Sequence, residues 1–146
     1  MLTMDRRIRR EGREGQALVE FAIILPVLVI LLLGIMEFGL LLYNQQVITN
    51  ASREGARYGI VARTDRRTPG EIAIVVNEYC GTRLITFGSG GGPETVVDPS
   101  DTNGAKFGED LSVTVSFQYD FLVLPNFVGA LVGGTNLQAQ TSMKYE

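Results

Sequence analysis

Two acidic residues, Glu20 and Glu37, lie beside and within an apolar stretch. In such surroundings a carboxylate needs a cation or a hydrogen-bond donor as a partner. From Phe21 to Tyr43 the only charged residue is Glu37, and Glu20 stands directly before the stretch. A carboxylate inside a membrane segment costs about 3 kcal/mol on insertion scales, so it is expected to face a partner and not lipid. The chemistry to look for at both positions is therefore charge pairing or hydrogen bonding.

Glu20 has no cation one helical turn away in the intact chain. Its neighbours by helical spacing are Gln16 and Ala17 before it and Ile23 and Ile24 after it, and none of them is charged. A cut directly before Gln16 would create an α-amino group, protonated near neutral pH, one turn from Glu20. The alternative is an interfacial Glu20 whose carboxylate reaches water at the level of the lipid headgroups.

Glu37 lies about two-thirds of the way through the apolar stretch, near Gly34 and Gly39, where a second backbone can approach closely. Three interpretations of its state remain open. The carboxyl is protonated in lipid, or it pairs with a cation of a partner subunit, or it is protonated and hydrogen-bonded within its own helix or near the interface. Only pairing with a partner subunit predicts that Glu37→Gln alters complex formation.

The apolar stretch is long enough to cross a bilayer, since its 23 residues span about 34 Å as a helix. A secretory signal would have a shorter apolar centre and end in small residues, whereas this stretch ends in Leu-Leu-Tyr-Asn-Gln-Gln. The next basic residues come about ten positions after the stretch, so we expect a cytoplasmic N-terminus. The arginines before the stretch are Arg6, Arg7, Arg9, Arg10 and Arg13.

Helical periodicity continues beyond the membrane, so we expect one helix from about Gln16 to Ala62. Three small residues on it, Ala51, Gly55 and Gly59, form a ridge that permits close packing. We expect this ridge to pack against a β-sheet of its own domain and not against a second subunit, because a helix must first bury a face within its own domain. The apolar face as a whole is Val47, Ile48, Ala51, Gly55, Tyr58, Gly59 and Ala62.

The rest of the chain predicts an α+β head. Thr68-Pro69-Gly70 is a helix start signal, and the helix is expected to run to about Tyr79 with Ile72, Val75, Val76 and Tyr79 on one face. Alternating apolar and polar residues predict two long strands that pair antiparallel. The predicted strands are 82–87, 94–97, 111–121 and 137–145.

The segment between the two long strands, 121–132, is more apolar than a connection requires. We expect a short buried helix over the sheet. The alternative is an exposed patch that contacts the bilayer surface or an adjoining subunit, and exposure of Leu124, Phe127 and Leu131 would distinguish the two.

Catalysis and cofactor binding have little support in this composition. The chain has no His, one Cys and a net charge of −3, so the usual nucleophile and base pairs and a basic nucleic-acid face are lacking. The acidic loop 98–110 resembles a calcium loop only loosely, because Pro99 stands where the first carboxylate belongs. We expect no enzyme activity, no metal, no cofactor and no nucleic-acid partner, with Cys80 as buried filler.

The stretch Gly15-Gln16-Ala17-Leu18-Val19-Glu20-Phe21, after a basic leader and before an apolar helix, resembles the processing site of type IV pilin-like precursors. With the segments 51–60 and 137–146, the chain more closely resembles the TadE-like minor pilins, or pseudopilins, of the tight-adherence (Tad) type IV pilus system. The resemblance implies that a prepilin peptidase cuts between Gly15 and Gln16. It also implies that Glu20 pairs with the N-terminal amine of a neighbouring subunit.

These inferences define a pilin-like organisation: a leader over 1–15, a long helix over 16–63 with its membrane part at about 20–43, and an extracytoplasmic head over 64–146. The expected function is assembly of a Tad-type adhesive pilus, with a role in adhesion and biofilm formation. The expected assembly residues are Glu20, Phe21 and Glu37, and the expected partners are the prepilin peptidase, other pilins and the lipid bilayer of the cytoplasmic membrane. The alternative is an unprocessed single-span envelope protein whose head binds a ligand or scaffolds other proteins.

Overall fold

The computed structural model describes residues 4–61, 66–86, 91–121 and 135–145, with side chains from Gly15 onward. Two helices and a three-stranded antiparallel sheet make up this part of the chain, which confirms the predicted α+β fold with its long N-terminal helix. The elements are α1 (Met4–Ile60), α2 (Pro69–Gly81), β1 (Glu94–Asp98), β2 (Asp110–Tyr119) and β3 (Thr135–Lys144). The chain divides into two compact units, Met1–Met36 and Glu37–Glu146.

The N-terminal unit consists of the first part of α1, which continues through Pro26. Nearly all its large apolar side chains from Leu18 to Met36 are exposed. The stretch of α1 from Gly15 to Ile60 is long and apolar enough to cross a membrane, and none of its most apolar window is buried. The helix also begins earlier than predicted, at Met4 and not near Gln16.

The C-terminal unit has β2 at the centre of its sheet, between β1 and β3. Cross-strand neighbours such as Val97 and Val113, and Val115 and Ala139, set the register. Every second residue of β2 is buried, as its alternating pattern predicts. The buried residues of β2 are Leu111, Val113, Val115, Phe117 and Tyr119.

The strand predicted over 82–87 is wrong for residues 82–86, which form a turn and an irregular segment, while Phe87 lies outside the described residues. The amides of Arg83 and Leu84 donate to the carbonyl of Cys80 and close the end of α2. The backbone of Ile85 then pairs with the side chain of Asn44 and not with a strand. The segment 122–134, which holds most of the predicted apolar connection, also lies outside the described residues.

α2 begins where its capping residues predict. The Thr68 hydroxyl accepts from the amide of Glu71 at 3.3 Å, and the Glu71 carboxylate accepts from the amide of Thr68 at 2.8 Å. This reciprocal capping box satisfies backbone N–H groups at the start of the helix, and the proline at the first helical position has no N–H that needs a partner. One face of α2 is buried, at Ile72, Val76 and Cys80.

Two glycines let the C-terminal part of α1 approach α2 and the sheet. A Cβ on Gly55 would lie 2.6 Å from Cγ2 of Val76 and 3.4 Å from Cγ1 of Val113. A Cβ on Gly59 would lie 2.8 Å from Cδ1 of Ile72 and would also collide with Leu111. The core of the head therefore closes directly onto the backbone of α1.

Candidate functional site

The residues of the predicted processing motif lie exposed on α1. Gly15, Gln16, Glu20 and Phe21 are all exposed, and a Cβ on Gly15 would meet nothing within 4 Å. Gln16 and Glu20 are one helical turn apart on this helix. None of the ion pairs among the described residues includes Glu20. The motif is therefore accessible to other molecules along its described length.

Glu37 is the first residue of the C-terminal unit and is 1 % exposed. Its Oε1 accepts a hydrogen bond of 2.6 Å from the hydroxyl of Tyr119, the last residue of β2. This partner belongs to the same chain, which none of the three interpretations of Glu37 had named. Pairing of Glu37 with a cation of another subunit stays a prediction.

Tyr119 is the donor in this hydrogen bond. Burial raises the pKa of Tyr119 well above its usual value, and the hydrogen bond to Glu37 and the charge of that group raise it further. The ring also packs edge-on against Phe121, with centroids 5.6 Å apart. Tyr119 therefore stays protonated at neutral pH and is held in place at the end of its strand.

Asn44, two turns after Glu37, joins α1 to the segment that follows α2. Its Nδ2 donates to the carbonyl of Ile85 at 2.9 Å, and its Oδ1 accepts from the amide of Ile85 at 3.0 Å. The side chain thus pairs with both backbone groups of one residue, as a neighbouring strand would. Because Asn44 is fully buried, losing either bond would leave a buried polar group unsatisfied.

Further along the same helix, polar side chains of α1 reach strand β3. The Ser52 hydroxyl lies 2.7 Å from the hydroxyl of Thr141, and Nε2 of Gln45 donates to the carbonyl of Gln138 at 3.0 Å. We call Glu37, Asn44, Gln45 and Ser52 the polar stripe of α1. Glu37 and Asn44 are seven residues apart, as are Gln45 and Ser52, which is about two turns. The stripe therefore follows the side of the helix that meets the head.

The predicted ridge of small residues packs inside the head. Ala51 is fully buried in the core, and Gly55 and Gly59 touch α2 and β2 as described above. The ridge and the polar stripe lie on neighbouring positions of the same helical face, so apolar packing and hydrogen bonds act together there.

Two arginines stack on tyrosines just before α2. The guanidinium of Arg67 lies 4.3 Å from the ring centre of Tyr58, and that of Arg66 lies 4.5 Å from the ring centre of Tyr145. The Thr102 hydroxyl donates to the carbonyl of Arg67 at 2.7 Å. These contacts hold the entry to α2 against α1 and the end of β3.

Cys80 is buried in the core, as expected. Burial raises the pKa of its thiol to about 11, so little of the reactive thiolate forms at neutral pH. Among the described residues, no group of three or more His, Cys, Asp or Glu side chains could hold a metal ion.

Sequence reasoning missed Asn44 and Ser52 as helix residues that bond to the head, and Tyr119 as the partner of Glu37. The available signal was the spacing of polar residues on the face that also carries Ile48 and Ala51. A polar residue on a buried face needs a partner. The identity of each partner could not be read in this way.

Comparison with known proteins finds a family similarity over part of α1. Residues 15–57 match the family model described as TadE-like protein. No curated protein and no solved structure matches the chain significantly. The match begins at Gly15 of the predicted processing motif and extends through the polar stripe to Arg57. Residues 15–57, less than half of the chain, are therefore similar to the family described as TadE-like protein.

Proposed function

We propose that this chain is a membrane-anchored minor pilin, or pseudopilin, that is proteolytically processed and takes part in assembly of a Tad-type adhesive pilus. The observation that carries the proposal is the start of the TadE-like match at Gly15, the residue directly before the predicted cut. The head then serves as the extracytoplasmic part of the subunit.

Processing supplies the charge that Glu20 lacks. Hydrolysis of the Gly15–Gln16 peptide bond leaves a carboxylate on Gly15 and an α-amino group on Gln16. The exposed position of both residues on α1 supports access by a membrane peptidase of the prepilin class. The new amino group is protonated near neutral pH and lies one turn from Glu20.

Assembly uses the exposed N-terminal part of α1. Glu20 of one subunit pairs with the N-terminal amine of a neighbour, and Phe21, also exposed, packs between the helices. The attraction of these charges is strong where water is excluded, but the cost of desolvating them offsets much of it. The pair therefore serves to set the register of neighbouring helices more than to add affinity.

Glu37, the third residue expected to act in assembly, takes a positioning part in this proposal. Its hydrogen bond to Tyr119 joins α1 to the central strand within the C-terminal unit.

The partners of the protein in this proposal are the prepilin peptidase, other pilins or pseudopilins and the lipid bilayer. The apolar helix supports anchoring in a membrane, and the arginines before it support a cytoplasmic N-terminus and an extracytoplasmic head. With this orientation the leader lies on the cytoplasmic side of the membrane, where the peptidase cuts it.

Mass spectrometry of the N-terminus tests the proposal. The full chain is produced in cells with and without an active prepilin peptidase. We expect a chain that starts at Gln16 only when the peptidase is active, and an intact chain otherwise. An intact N-terminus in cells with active peptidase would contradict the proposal and favour an unprocessed single-span envelope protein.

A matched pair of glycine variants sharpens this test. Gly15 and Gly34 both lie on α1 with open space around the position of a Cβ. Gly15→Leu is expected to block cleavage, whereas Gly34→Leu should be cleaved like the unmodified chain. Equal cleavage of both variants would mean that the cut does not depend on Gly15.

A further inference from the structure

Phe107 is the most exposed large apolar side chain among the described residues, at 84 %. It occupies the second position of a tight turn, in which the amide of Glu109 donates to the carbonyl of Lys106 at 3.1 Å. Gly108, at the third position, has a φ of +84°, as in a type II turn, where glycine is favoured. The Phe107 side chain therefore stands out from the head and is in contact with water.

Two backbone hydrogen bonds join this turn to Tyr145, directly after β3. The Gly108 amide donates to the Tyr145 carbonyl at 3.0 Å, and the Tyr145 amide donates to the Glu109 carbonyl at 2.9 Å. A further bond of 2.9 Å, from the Lys106 amide to the Glu109 carboxylate, closes the turn. Because this backbone is already ordered, Phe107 loses little conformational freedom when it enters a partner.

A groove of about 260 Å³ lies between α1 and the second half of α2. Pockets for small molecules usually have about 300 to 1,000 Å³, so this groove suits a single side chain better than a cofactor. Its apolar lining is Val75 and the ring of Tyr79, and the guanidinium of Arg83 lies 4.1 Å from the centre of that ring. The lining residues are Glu54, Val75, Glu78, Tyr79, Thr82 and Arg83.

The charges beside Phe107 and those around the groove have complementary signs. On the turn, the cation Lys106 comes directly before Phe107, and the anion Glu109 comes two residues after it. The groove is lined by the anion Glu78 and the cation Arg83. Neither Lys106 nor Glu78 belongs to an ion pair among the described residues. One orientation of the inserted ring therefore brings Lys106 to Glu78 and Glu109 to Arg83.

We infer that Phe107 of one head inserts between α1 and α2 of a second copy of this chain. The same chain supplies the exposed ring and a groove of matching size and charge. Within one head the two do not meet, because Phe107 is exposed and does not line the groove. Since ring and groove are different surfaces, the contact is heterologous, and a pair of copies keeps one free ring and one free groove. Further copies can therefore add in one direction.

The small area of this contact determines how it acts. A buried aromatic side chain removes about 150 to 250 Å² from water, whereas stable interfaces bury about 1,200 to 2,000 Å² in total. Free copies should therefore associate only weakly in this way. Copies whose α1 helices are already assembled have a higher effective concentration of heads. In this respect the inference extends the proposed function, but it does not depend on cleavage by a peptidase.

Cross-linking between two differently tagged full chains tests the contact. One chain carries Gly104→Cys, three residues before Phe107, where a Cβ meets nothing within 4 Å. The other carries Thr82→Cys, at an exposed position that lines the groove. The purified chains are mixed in detergent without peptidase or other pilins, and a short bismaleimide is added. Chains without an added cysteine give the background, because Cys80 is buried.

We expect a covalent product that contains one chain of each kind. Phe107→Ala in the first chain should lower its yield by about tenfold or more, since a buried aromatic anchor carries most of the binding energy of such a contact. Val96→Ala is the matched control, because Val96 is an apolar residue of the head that is 55 % exposed on β1, and it should leave the yield unchanged. Both variants should unfold at the temperature of the unmodified chain. No product between the pure chains, or equal yields for the two variants, would overturn the inference and leave the groove to a different partner.

Charge reversal tests the orientation of the inserted turn. Glu78→Lys in the groove chain should lower the yield, because the new ammonium group faces Lys106 of the other chain. Lys106→Glu in that other chain should then restore it. If the second reversal does not restore the yield, the two residues do not face each other and the inference is wrong. Because no peptidase and no other pilin is present, failure here is distinct from failure of the proposed function.

Discussion

The two parts of α1, residues 15–36 and 37–60, are continuous in sequence but surrounded differently. The first part is exposed almost all round, whereas the second buries a face that holds the polar stripe and the ridge of small residues. The first part is almost entirely apolar after Glu20, whereas the second has an apolar run only up to Tyr43 and then mixes apolar with polar and charged residues. The difference lies in where small and polar residues recur, because these set how closely a head can approach and what it can bond.

This comparison assigns different tasks to the two parts. Changes in the first part should affect assembly and leave the head stable. Changes in the second part should affect the stability of the head. The predictions below test this division, from the largest expected effect to the smallest.

Glu20→Gln is expected to abolish co-purification of the protein with its pilin partners, because the amide cannot neutralise the N-terminal amine of a neighbour. The unfolding midpoint of the head should not change, because Glu20 is exposed in the N-terminal unit. Pull-down from membranes and thermal unfolding measure the two effects. Glu54→Gln, on the second part of the same helix, is the control and should co-purify normally. Unimpaired incorporation of the Glu20 variant would defeat the proposed pairing.

Gly55→Ala is expected to destabilise the head by about 1 to 3 kcal/mol, the usual cost of overpacking a core. The added Cβ would lie 2.6 Å from Cγ2 of Val76, and a valine in a helix has essentially one rotamer, so it cannot move aside. Denaturant unfolding followed by tyrosine circular dichroism measures the loss. Gly34→Ala is the matched control, because its Cβ meets nothing within 4 Å. Equal stability of the two variants would mean that the close approach at Gly55 is not needed.

Tyr119→Phe is expected to cost about 1 to 2 kcal/mol, because it removes the hydroxyl that donates to the buried carboxyl of Glu37. Tyr43→Phe removes a hydroxyl from an exposed ring and should have almost no effect. The difference in unfolding free energy between the two variants measures the hydrogen bond. A loss of similar size in both would show that the Glu37 contact does not stabilise the head.

The capping box of α2 predicts a small dependence of stability on pH. Hydrogen bonding from the Thr68 amide, with help from the Thr68 hydroxyl and Arg67, lowers the pKa of Glu71 from its ordinary 4.5. A carboxyl with a lowered pKa in the folded state stabilises it above its unfolded pKa, and this contribution is lost as the pH falls through the folded pKa. The thermal unfolding midpoint should therefore decrease once the pH is lowered below about 4.5.

Glu71→Gln should show a weaker fall over the same acid range, since the amide does not titrate. Glu78→Gln, later on α2, serves as the control for removal of one charge. Thermal unfolding of the three proteins between pH 7 and pH 3 gives the comparison. Identical pH profiles for Glu71→Gln and the unmodified chain would show that the capping box is not the source of the pH dependence.

Local patterns predicted most of the elements. The start of α2 followed from Thr68 and Pro69, and the long strands followed from alternation at positions such as Leu111 and Val113. The strand predicted over 82–87 is wrong at 82–86. Alternation over so few residues does not reveal that the side chain of Asn44 hydrogen-bonds to both backbone groups of Ile85. The partner of Glu37 could not be predicted either, because the spacing of charged residues along a helix identifies only neighbours in sequence.

The sequence by itself determined the candidate membrane span, the helix after it, the capping box and the alternation of the strands, because each depends on residues within a few turns or positions of one another. Only the tertiary structure decided that Glu37 meets Tyr119, 82 residues away, and that Asn44 meets Ile85, 41 residues away. The physical reason is that a buried polar group requires a partner, but which partner it finds depends on how helix and strands come together.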